Sequence, residues 1–226
     1  MDLSPIKVII TGATGMVGEG VLYMSLQHPD VMSVLVINRK PSGVSHPKLK
    51  EIVHADFFNL SAIESELSGY NACFFCLGVS SVGMGAEQYF QTTYTLTMHV
   101  AETLVRLNPG MSFCYISGAG TDSSEKGRSR WARVKGKTEN DLMHLPFQQV
   151  FGVRPGFIKS IPGLVHIHSF YKYINWLFPL GRAMYPAGFC TLRELALAMI
   201  RVVRQGYERK IIEGKDIIRL AAEEEK

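Results

Sequence analysis

The sequence predicts an α/β protein with a doubly wound parallel sheet in a single domain. Apolar, β-branched runs of strand length alternate with runs of helical periodicity, a pattern typical of parallel sheets covered by helices on both faces. A glycine-rich turn joins the first apolar run to the first helical run. The length of 226 residues suits one domain with one large core.

The predicted elements begin at residue 6 and continue along most of the chain. Strands are expected at residues 6–10, 34–37, 51–54, 72–77, 111–116 and 149–153, of which 51–54 is the weakest. Helices are expected at residues 16–26, 62–67, 86–107, 131–144 and 192–205. Thr191 and Glu194 have the spacing of a capping box at the start of the last helix. Residues 155–189 are rich in glycine, proline and aromatic residues, which predicts a small irregular segment.

The composition is that of an ordinary globular protein and argues against a nucleic-acid-binding, membrane-spanning or secreted protein. Hydrophobic residues make up 46% and charged residues 19%, and the net charge of +4 is too small to indicate nucleic-acid binding. No apolar run is long enough to cross a membrane, and no secretion signal is visible before the first strand. The four cysteines lie in apolar runs, where buried reduced thiols are expected and no metal site is indicated. These features predict a cytoplasmic protein.

The glycine-rich turn is the strongest functional signal in the chain. Gly12 permits a tight turn out of the strand, Gly15 lets the backbone approach a pyrophosphate, and Gly18 lets the helix pack close to the sheet. The helix that follows presents free N–H groups and a partial positive charge to phosphates. The pattern predicts a bound dinucleotide; the alternative is a glycine-rich turn without a ligand.

The turn also carries a family resemblance. The predicted phosphate-binding segment comprises Gly12, Ala13, Thr14, Gly15, Met16, Val17 and Gly18. Its Gly-x-x-Gly-x-x-Gly spacing, with Thr11 in front, resembles the short-chain dehydrogenase/reductase superfamily and, within it, the extended and atypical branches with their sugar-nucleotide epimerase-like proteins. The resemblance implies a Rossmann fold over residues 1–226. Residues 1–154 would form the dinucleotide-binding core, and residues 155–226 a substrate-side segment with terminal helices.

Residues after the second strand favour NADP over NAD. NAD-binding folds usually place an acidic residue there to accept hydrogen bonds from the ribose hydroxyls. This chain instead has Asn38, Arg39 and Lys40, whose two cations could pair with a 2′-phosphate. The alternative is a solvated basic loop.

Three further segments match positions that contact the cofactor in similar proteins. Asp56 and Phe57 follow the third strand, where the resemblance implies contact with the adenine ring; Asp56 could also serve only as a turn or cap residue. Leu77 and Gly78 follow the fourth strand, where the backbone would pass close to the cofactor. The third segment follows the sixth strand and would place backbone groups near the nicotinamide amide; it comprises Arg154, Pro155 and Gly156.

The resemblance also implies a catalytic serine, tyrosine and lysine, and one of these is missing. Ser117 and Lys135 stand at the matching positions, but Trp131 occupies the position of the tyrosine, four residues before the lysine. An indole N–H donates a hydrogen bond but is no usable acid near neutral pH. Three explanations stay open: the chemistry is lost, another hydroxyl such as that of Tyr115 or Thr121 takes the proton's role, or Ser117 or water suffices.

Two functional hypotheses from different classes follow. The first is an NADP-dependent oxidoreductase or epimerase-like enzyme that acts on a small carbonyl or hydroxyl substrate with a non-standard proton donor, with Trp131, Ser117 and Lys135 at the site. The second is a catalytically inactive cofactor-binding sensor or scaffold that regulates a protein partner. The helices at residues 86–107 and 131–144 are those that similar proteins pair in homodimers. A basic cluster is most simply a solvated surface rather than a nucleic-acid site, because no ladder of aromatic residues interleaves its charges. Its members are Lys126, Arg128, Arg130, Arg133, Lys135 and Lys137.

Overall fold

A seven-stranded parallel sheet forms the centre of the molecule. The computed structural model describes residues 5–166 and 178–225. The sheet has the order β3-β2-β1-β4-β5-β6-β9, and each neighbouring pair is parallel. Its strands are β1 (Ile6–Thr11), β2 (Val31–Asn38), β3 (Leu49–Val53), β4 (Ala72–Phe75), β5 (Ser112–Ile116), β6 (Gln149–Arg154) and β9 (Ile211–Glu213). The strand order reverses between β1 and β4, so the carboxyl ends of these two strands border the crevice where such sheets bind ligands.

Helices cover both faces of the sheet. They are α1 (Met16–Gln27), α2 (Ala86–Phe90), α3 (Leu96–Leu107), α4 (Arg130–Leu142), α5 (Phe178–Met184), α6 (Leu192–Gln205) and α7 (Gly214–Glu224). Successive side chains of a strand point to opposite faces, and the core divides accordingly. Ile10 and Phe74 face α1, α6 and α7, whereas Ile9 and Phe75 face α3 and the end of α4. The doubly wound parallel sheet predicted from the sequence is confirmed.

The predicted elements differ from the observed ones chiefly at their ends and inside one helix. The strand predicted at residues 72–77 ends at Phe75, and the helix predicted at 62–67 is a 3-10 turn, Ser61–Glu66. Residues 86–107 are helical as predicted, but a π-helical segment, Gln91–Thr95, separates α2 from α3. The hydroxyls of Thr92 and Thr97 donate to carbonyls one turn earlier, and such back-bonding competes with the regular helical ladder.

The segment after β6 is more regular than the sequence predicted. It contains β7 (Phe157–Lys159), α5, a 3-10 turn (Pro186–Gly188) and β8 (Phe189–Thr191), and β7 and β8 form a separate two-stranded parallel sheet. Residues 167–177 of the predicted irregular segment lie outside the described residues. The 3-10 turn packs so closely that a Cβ on Gly156 would lie 2.3 Å from the Gly188 carbonyl oxygen. These contacts depend on long-range packing, which local sequence patterns do not reveal.

Two smaller predictions about the fold are confirmed. Thr191 and Glu194 form the capping box at the start of α6. All four cysteines are free thiols, and Cys73 and Cys76 lie on opposite sides of the sheet, in contact with different halves of the core. Burial raises the pKa of the Cys76 thiol to about 12, which keeps it protonated and unreactive. Among the described residues, no helix combines the length and the hydropathy that a membrane crossing requires.

Candidate functional site

The glycine turn between β1 and α1 has the geometry that phosphate binding requires. Gly12 has a φ of +72°, and a Cβ there would lie 2.8 Å from the Cys76 carbonyl carbon. A Cβ on Gly18 would lie 2.2 Å from the Gly12 carbonyl oxygen, so α1 can pack against the turn only without a side chain at this position. Gly15 is different, because a Cβ there would meet only the Gly12 carbonyl oxygen, at 3.5 Å. The space beside Gly15 is therefore free for a ligand.

The start of α1 keeps its N–H groups available. Gly15 is the N-cap residue, and no side chain of residues 5–166 or 178–225 caps the helix. The side chains of Ala13 and Met16 are buried in the core, so their contribution to a ligand comes from the backbone, as the glycine motif implies. Gly15, by contrast, is exposed. This combination of a cradle without side chains and uncapped donors fits a pyrophosphate.

A cavity of about 210 Å³ lies where β2, β3 and β4 end. It joins three of the segments that the sequence marked as cofactor-binding. Its lining consists of Arg39, Ala55, Asp56, Phe57, Phe58, Leu77, Gly78, Val79, Thr92 and Leu96. Asp56 also accepts a hydrogen bond from the Phe58 backbone N–H at 2.9 Å, so the turn role considered for Asp56 exists beside its place in the cavity. The side chain of Phe57 packs into the core, which leaves its backbone for contact with a ligand.

A carboxylate that sequence reasoning missed organises the end of β2. Glu51 of β3 accepts hydrogen bonds at one oxygen from the Asn38 side chain, at 3.0 Å, and from the Ser42 backbone N–H, at 2.9 Å. It thus fixes both ends of the loop that carries Arg39 and Lys40, which are exposed. Asn38 is buried, and its Oδ1 atom has no hydrogen-bond partner among the described residues. Such an orphaned acceptor suits a ribose hydroxyl.

The catalytic corner, formed by the end of β5, the end of β6 and α4, is organised by a second carboxylate. Glu139 is fully buried, and Ser117 donates its hydroxyl to it at 2.5 Å. Arg154, only 10% exposed, forms a bidentate ion pair with the same carboxylate and also contacts the Ser123 hydroxyl at 2.5 Å. A Cβ on Gly152 would lie 2.7 Å from Glu139, so the glycine in β6 makes room for the pair. The Arg154 side chain is thereby committed to structure.

Lys135, which the resemblance assigns to the nicotinamide ribose, lies against the backbone of Ser117. Its ammonium group donates to the Ser117 carbonyl oxygen. Burial lowers the pKa of Lys135 to about 8, although the nearby charge of Glu139 acts in the opposite direction. Gly136 permits this placement, because a Cβ there would lie 1.8 Å from the Asp122 carbonyl oxygen. The loop after β5 and α4 are therefore in direct backbone contact.

Trp131 does not supply an acid in place of the family tyrosine. Its ring lies over Gly120, where a methyl group would lie 3.5 Å from Trp131 Cη2. The two alternative hydroxyls are also engaged. Tyr115 is 2% exposed and burial raises its pKa strongly, while Thr121 donates to the Gly118 carbonyl oxygen at 2.8 Å. Neither Tyr115 nor Thr121 is available to donate a proton to a substrate.

A second, more polar cavity of about 390 Å³ opens beside the catalytic corner. It is bounded by the loop after β5, the 3-10 turn and the start of α7. Its lining consists of Ala119, Gly120, Arg154, Tyr185, Ala187, Arg209, Glu213, Gly214, Lys215 and Asp216. Gly120 thus connects this cavity to the ring of Trp131. The sequence did not predict this cavity, because its walls come from segments far apart in the chain.

The basic cluster is largely satisfied by local contacts. Arg130 donates to the Met84 carbonyl oxygen, and Arg133 donates to the Gly127 and Arg128 carbonyl oxygens. Lys137 pairs with Asp141 at 2.9 Å. These contacts agree with the interpretation of the cluster as an ordinary protein surface.

Solved structures share the fold at low sequence identity. ADP-L-glycero-D-manno-heptose-6-epimerase from Helicobacter pylori matches with a TM-score of 0.66 at 17% identity, covering 99% of this chain and 84% of that chain. The Bordetella bronchiseptica enzyme WbmF, in complex with NAD+, matches with a TM-score of 0.65 at 16% identity, covering 99% and 78%. These likenesses confirm the Rossmann-type fold.

Curated relatives correct one prediction. The protein named fmp52, mitochondrial, of Aspergillus clavatus is 29% identical over 68% of this chain and 67% of its own length. The protein of the same name from Coccidioides immitis is 24% identical over 96% of this chain and 97% of its own length. The prediction of a cytoplasmic protein is wrong in the light of these mitochondrial relatives. Buried reduced thiols are compatible with any reducing compartment, so they could not identify the cytoplasm.

A family model supports the assignment that the glycine turn suggested. The model described as the NAD dependent epimerase/dehydratase family matches residues 8–129, more than half of the chain. The matched region contains the glycine turn, the cavity at the ends of β2 to β4, and Ser117, and it stops just before Trp131. Taken with the shared fold, this match shows that the chain belongs to the NAD dependent epimerase/dehydratase family, within the short-chain dehydrogenase/reductase superfamily.

Proposed function

We propose that this protein binds NADP in preference to NAD and acts as an oxidoreductase or epimerase-like enzyme on a small carbonyl or hydroxyl compound. Family membership supports a dinucleotide cofactor. The observation that carries the enzymatic part is the polar cavity of about 390 Å³ beside Gly120, near the end of β5, where Lys135 of α4 contacts Ser117. Its polar lining and its place beside Gly120 suit a small polar substrate.

The proposed cofactor site runs from the glycine turn to the catalytic corner. The backbone of residues 12–18 would hold the pyrophosphate through the N–H groups at the start of α1, since the Gly15 N–H itself donates to the Gly12 carbonyl oxygen. The cavity with Asp56 and Gly78 would hold the adenine. Arg39 and Lys40 would pair with the 2′-phosphate, and the free Oδ1 of Asn38 would accept from a ribose hydroxyl. When bound, the nicotinamide supplies or accepts a hydride.

The chain's own residues would orient the substrate end of the site. Ser117 is held by Glu139, so its hydroxyl hydrogen points away from any substrate and its oxygen can only accept. Lys135 would bind the nicotinamide ribose, as the resemblance implies. Trp131 would form a wall that excludes water from the nicotinamide side. The Pro155 carbonyl oxygen accepts from the Ala119 N–H at 2.8 Å, which fixes the turn through Gly156 near this wall.

A second candidate function is a cofactor-dependent sensor or scaffold. The observation that favours it is that the three hydroxyls considered for proton transfer, those of Ser117, Tyr115 and Thr121, are engaged or buried. In that case cofactor occupancy would control a surface that contacts a partner, and α3 and α4 would be the helices to test for pairing of two copies. Turnover of any carbonyl compound distinguishes the enzyme from the sensor.

Titration calorimetry with NADP(H) and NAD(H) tests the proposal. We expect NADP(H) to bind more tightly, and we expect Arg39→Ala to reduce NADP(H) affinity about tenfold or more, because one charge-assisted hydrogen bond contributes about 1.5–3 kcal/mol. NAD(H) affinity should change little. Arg128→Ala, which removes an exposed arginine outside the cavity, is the matched control and should leave both affinities unchanged. If neither dinucleotide binds, the proposed function fails in both of its forms.

A further inference from the structure

One question about the proposed reaction is which group supplies the proton that the family tyrosine would give. Ser117 donates its only hydroxyl hydrogen to Glu139, and Thr121 donates its own to the Gly118 carbonyl oxygen. Tyr115 is buried in the core, and the indole of Trp131 is no usable acid. The other polar side chains here are Lys135, which contacts the Ser117 carbonyl oxygen, Ser123, which contacts Arg154, and Tyr185, which lines the polar cavity. Of these, Lys135 is the one that lies beside Ser117 at the end of β5.

We propose that Lys135 is the catalytic proton donor of this protein, in addition to holding the nicotinamide ribose. The inference rests on the proposed function and deepens it. In the arrangement that the family resemblance implies, the charge of the lysine lowers the pKa of a tyrosine one helical turn earlier. Here that position holds Trp131, so there is no phenol whose pKa the ammonium group of Lys135 could lower.

The geometry of α4 places Lys135 at the centre of the corner. Trp131, Lys135 and Glu139 are spaced four residues apart and therefore share one face of the helix. The Lys135 ammonium group donates to the Ser117 carbonyl oxygen, at the end of β5. Glu139 is engaged by Arg154 and Ser117, so it offers Lys135 a neighbouring charge without a salt bridge. Lys135 keeps further N–H groups for a ligand, because an ammonium has three.

The charges around Lys135 favour proton exchange near neutral pH. Burial lowers the pKa of Lys135 to about 8, and the carboxylate of Glu139 limits that shift. Arg154, on β6, faces the same carboxylate and offsets its charge. A general acid works best when its pKa lies near the operating pH, since both protonation states are then populated. An ordinary exposed lysine would hold its proton too tightly for this purpose.

The step balances with the groups at hand. In the direction of reduction, the carbonyl carbon of the substrate receives the hydride that the dinucleotide supplies, and the carbonyl π pair moves onto oxygen. That oxygen takes one proton from the ammonium group of Lys135, which gives the alcohol and a neutral amine. Lys135 then takes a proton from water. In oxidation the neutral amine accepts the hydroxyl proton of the substrate.

Competitive labelling of the protein without cofactor tests the titration of Lys135 directly. Trace acetic anhydride acylates only neutral amines, so the extent of labelling of each lysine against pH, read by mass spectrometry, gives its pKa. We expect half-maximal labelling of Lys135 at pH about 8. Lys137, on the same helix, is the control, because its hydrogen bond with Asp141 raises its pKa above the usual value. Labelling of Lys135 at the pH of an ordinary lysine would overturn the proposal.

The same labelling separates this inference from the proposed function. Saturating NADP should slow acetylation of Lys135 and leave Lys137 unchanged. If NADP protects neither lysine, the proposed cofactor site is wrong. If NADP protects Lys135 but its labelling follows an ordinary lysine pKa, the cofactor site stands and the proton-donor assignment fails.

Steady-state reduction of small aldehydes and ortho-quinones with NADPH provides the catalytic readout. For wild type, kcat/KM should be constant below pH about 8 and fall tenfold per unit above it, since the protonated amine is the active form. Lys135→Arg keeps the charge but cannot release a proton, so we expect a loss of kcat of about 100-fold and no alkaline fall, with NADPH affinity nearly unchanged. Lys137→Arg should behave as wild type. An unchanged kcat in Lys135→Arg, or no reduction of any of these compounds by wild type with NADPH bound, overturns the proposal.

Discussion

The cofactor end, at the glycine turn and the end of β2, and the catalytic corner, at the ends of β5 and β6, differ in how far their polar groups are hydrogen-bonded. At the cofactor end, within the described part of the chain, no side chain caps the N–H groups of α1 and the buried Oδ1 of Asn38 has no hydrogen-bond partner. At the catalytic corner, Ser117, Glu139 and Arg154 satisfy one another in a buried network. The first end is arranged to receive a ligand, whereas the second is arranged to hold its own geometry.

The contrast indicates that the residues expected to bind the cofactor and the residues that stabilise the fold lie in different regions. Open polar groups at the cofactor end lower stability until a ligand satisfies them, which is a common property of binding sites. The saturated network at the corner fixes the end of β5, with Ser117, against α4, which carries Lys135 and Glu139. Substitutions at the two ends should therefore affect different measurements: stability at the corner, and affinity at the cofactor end.

The largest expected effect is on stability and comes from Glu139→Gln. The substitution removes the buried charge that pairs with Arg154, which is only 10% exposed, and leaves it the more distant and more exposed carboxylate of Glu213 at 3.9 Å. Breaking a buried ion pair in this way costs about 3–5 kcal/mol. We expect the free energy of unfolding in urea to fall by about this amount.

Asp141→Asn is the control for that experiment, since it removes a carboxylate from the same helix. Asp141 pairs with Lys137 in a partly exposed salt bridge. Such pairs contribute about 0–1 kcal/mol, so the change in stability should be within that range. Equal losses for the two variants would show that the network at the catalytic corner is no stronger than a surface ion pair.

The second prediction concerns affinity without loss of stability. Gly15→Ala adds a methyl group that meets only the Gly12 carbonyl oxygen, at an ordinary contact distance of 3.5 Å. The protein should fold as wild type, but the methyl group occupies the space that a pyrophosphate needs. Two hydrogen bonds to a charged phosphate contribute about 3 kcal/mol, so we expect dinucleotide affinity to fall about 100-fold in calorimetry.

Gly18→Ala gives the contrasting result at the neighbouring glycine. Its methyl group would lie 2.2 Å from the Gly12 carbonyl oxygen, so stability and binding should be lost together. Gly110→Ala, where the structure has open space, should change neither. A Gly15→Ala protein that binds NADP as tightly as wild type would contradict the cofactor site as placed.

The same contrast explains how much could be predicted from the sequence. The glycine turn and the alternation of strands and helices follow from local rules, because glycine positions and apolar periodicity determine them within a few residues. Glu51 and Glu139 could not be placed in this way. Glu51 acts on Asn38 from a neighbouring strand, and Glu139 acts on Ser117 and Arg154 across 22 and 15 positions of the chain. Their partners are set by tertiary packing.

The third prediction concerns cofactor preference and uses an exchange of charge. In Asn38→Asp with Glu51→Gln, the amide of Gln donates to the carboxylate of Asp, so the hydrogen bond at 3.0 Å is kept with its direction reversed. The negative charge moves to the end of β2, where it repels a 2′-phosphate and accepts from ribose hydroxyls. We expect the ratio of NADP to NAD affinity to fall about tenfold.

Glu51→Gln alone is the matched control for the exchange. It keeps an oxygen acceptor for the Ser42 N–H and removes a charge near Arg39, so NADP affinity should be unchanged or slightly higher. The single substitution Asn38→Asp is uninformative by itself, because two carboxylates about 3 Å apart would share a proton. An exchange variant that keeps its NADP preference would show that Arg39 and Lys40 alone decide specificity.

The smallest expected effect is that of Trp131→Tyr, although this change restores the family residue. The Trp131 ring packs over Gly120, and a smaller ring there should cost about 1 kcal/mol of stability. If Lys135 already donates the proton, a phenol adds little, and kcat for carbonyl reduction should change less than threefold, about 0.7 kcal/mol in the barrier. A large gain in activity from wild type to Trp131→Tyr would instead show that the chemistry was lost with the tyrosine. In that case the catalytic corner would keep its buried hydrogen-bond network without catalysing a reaction.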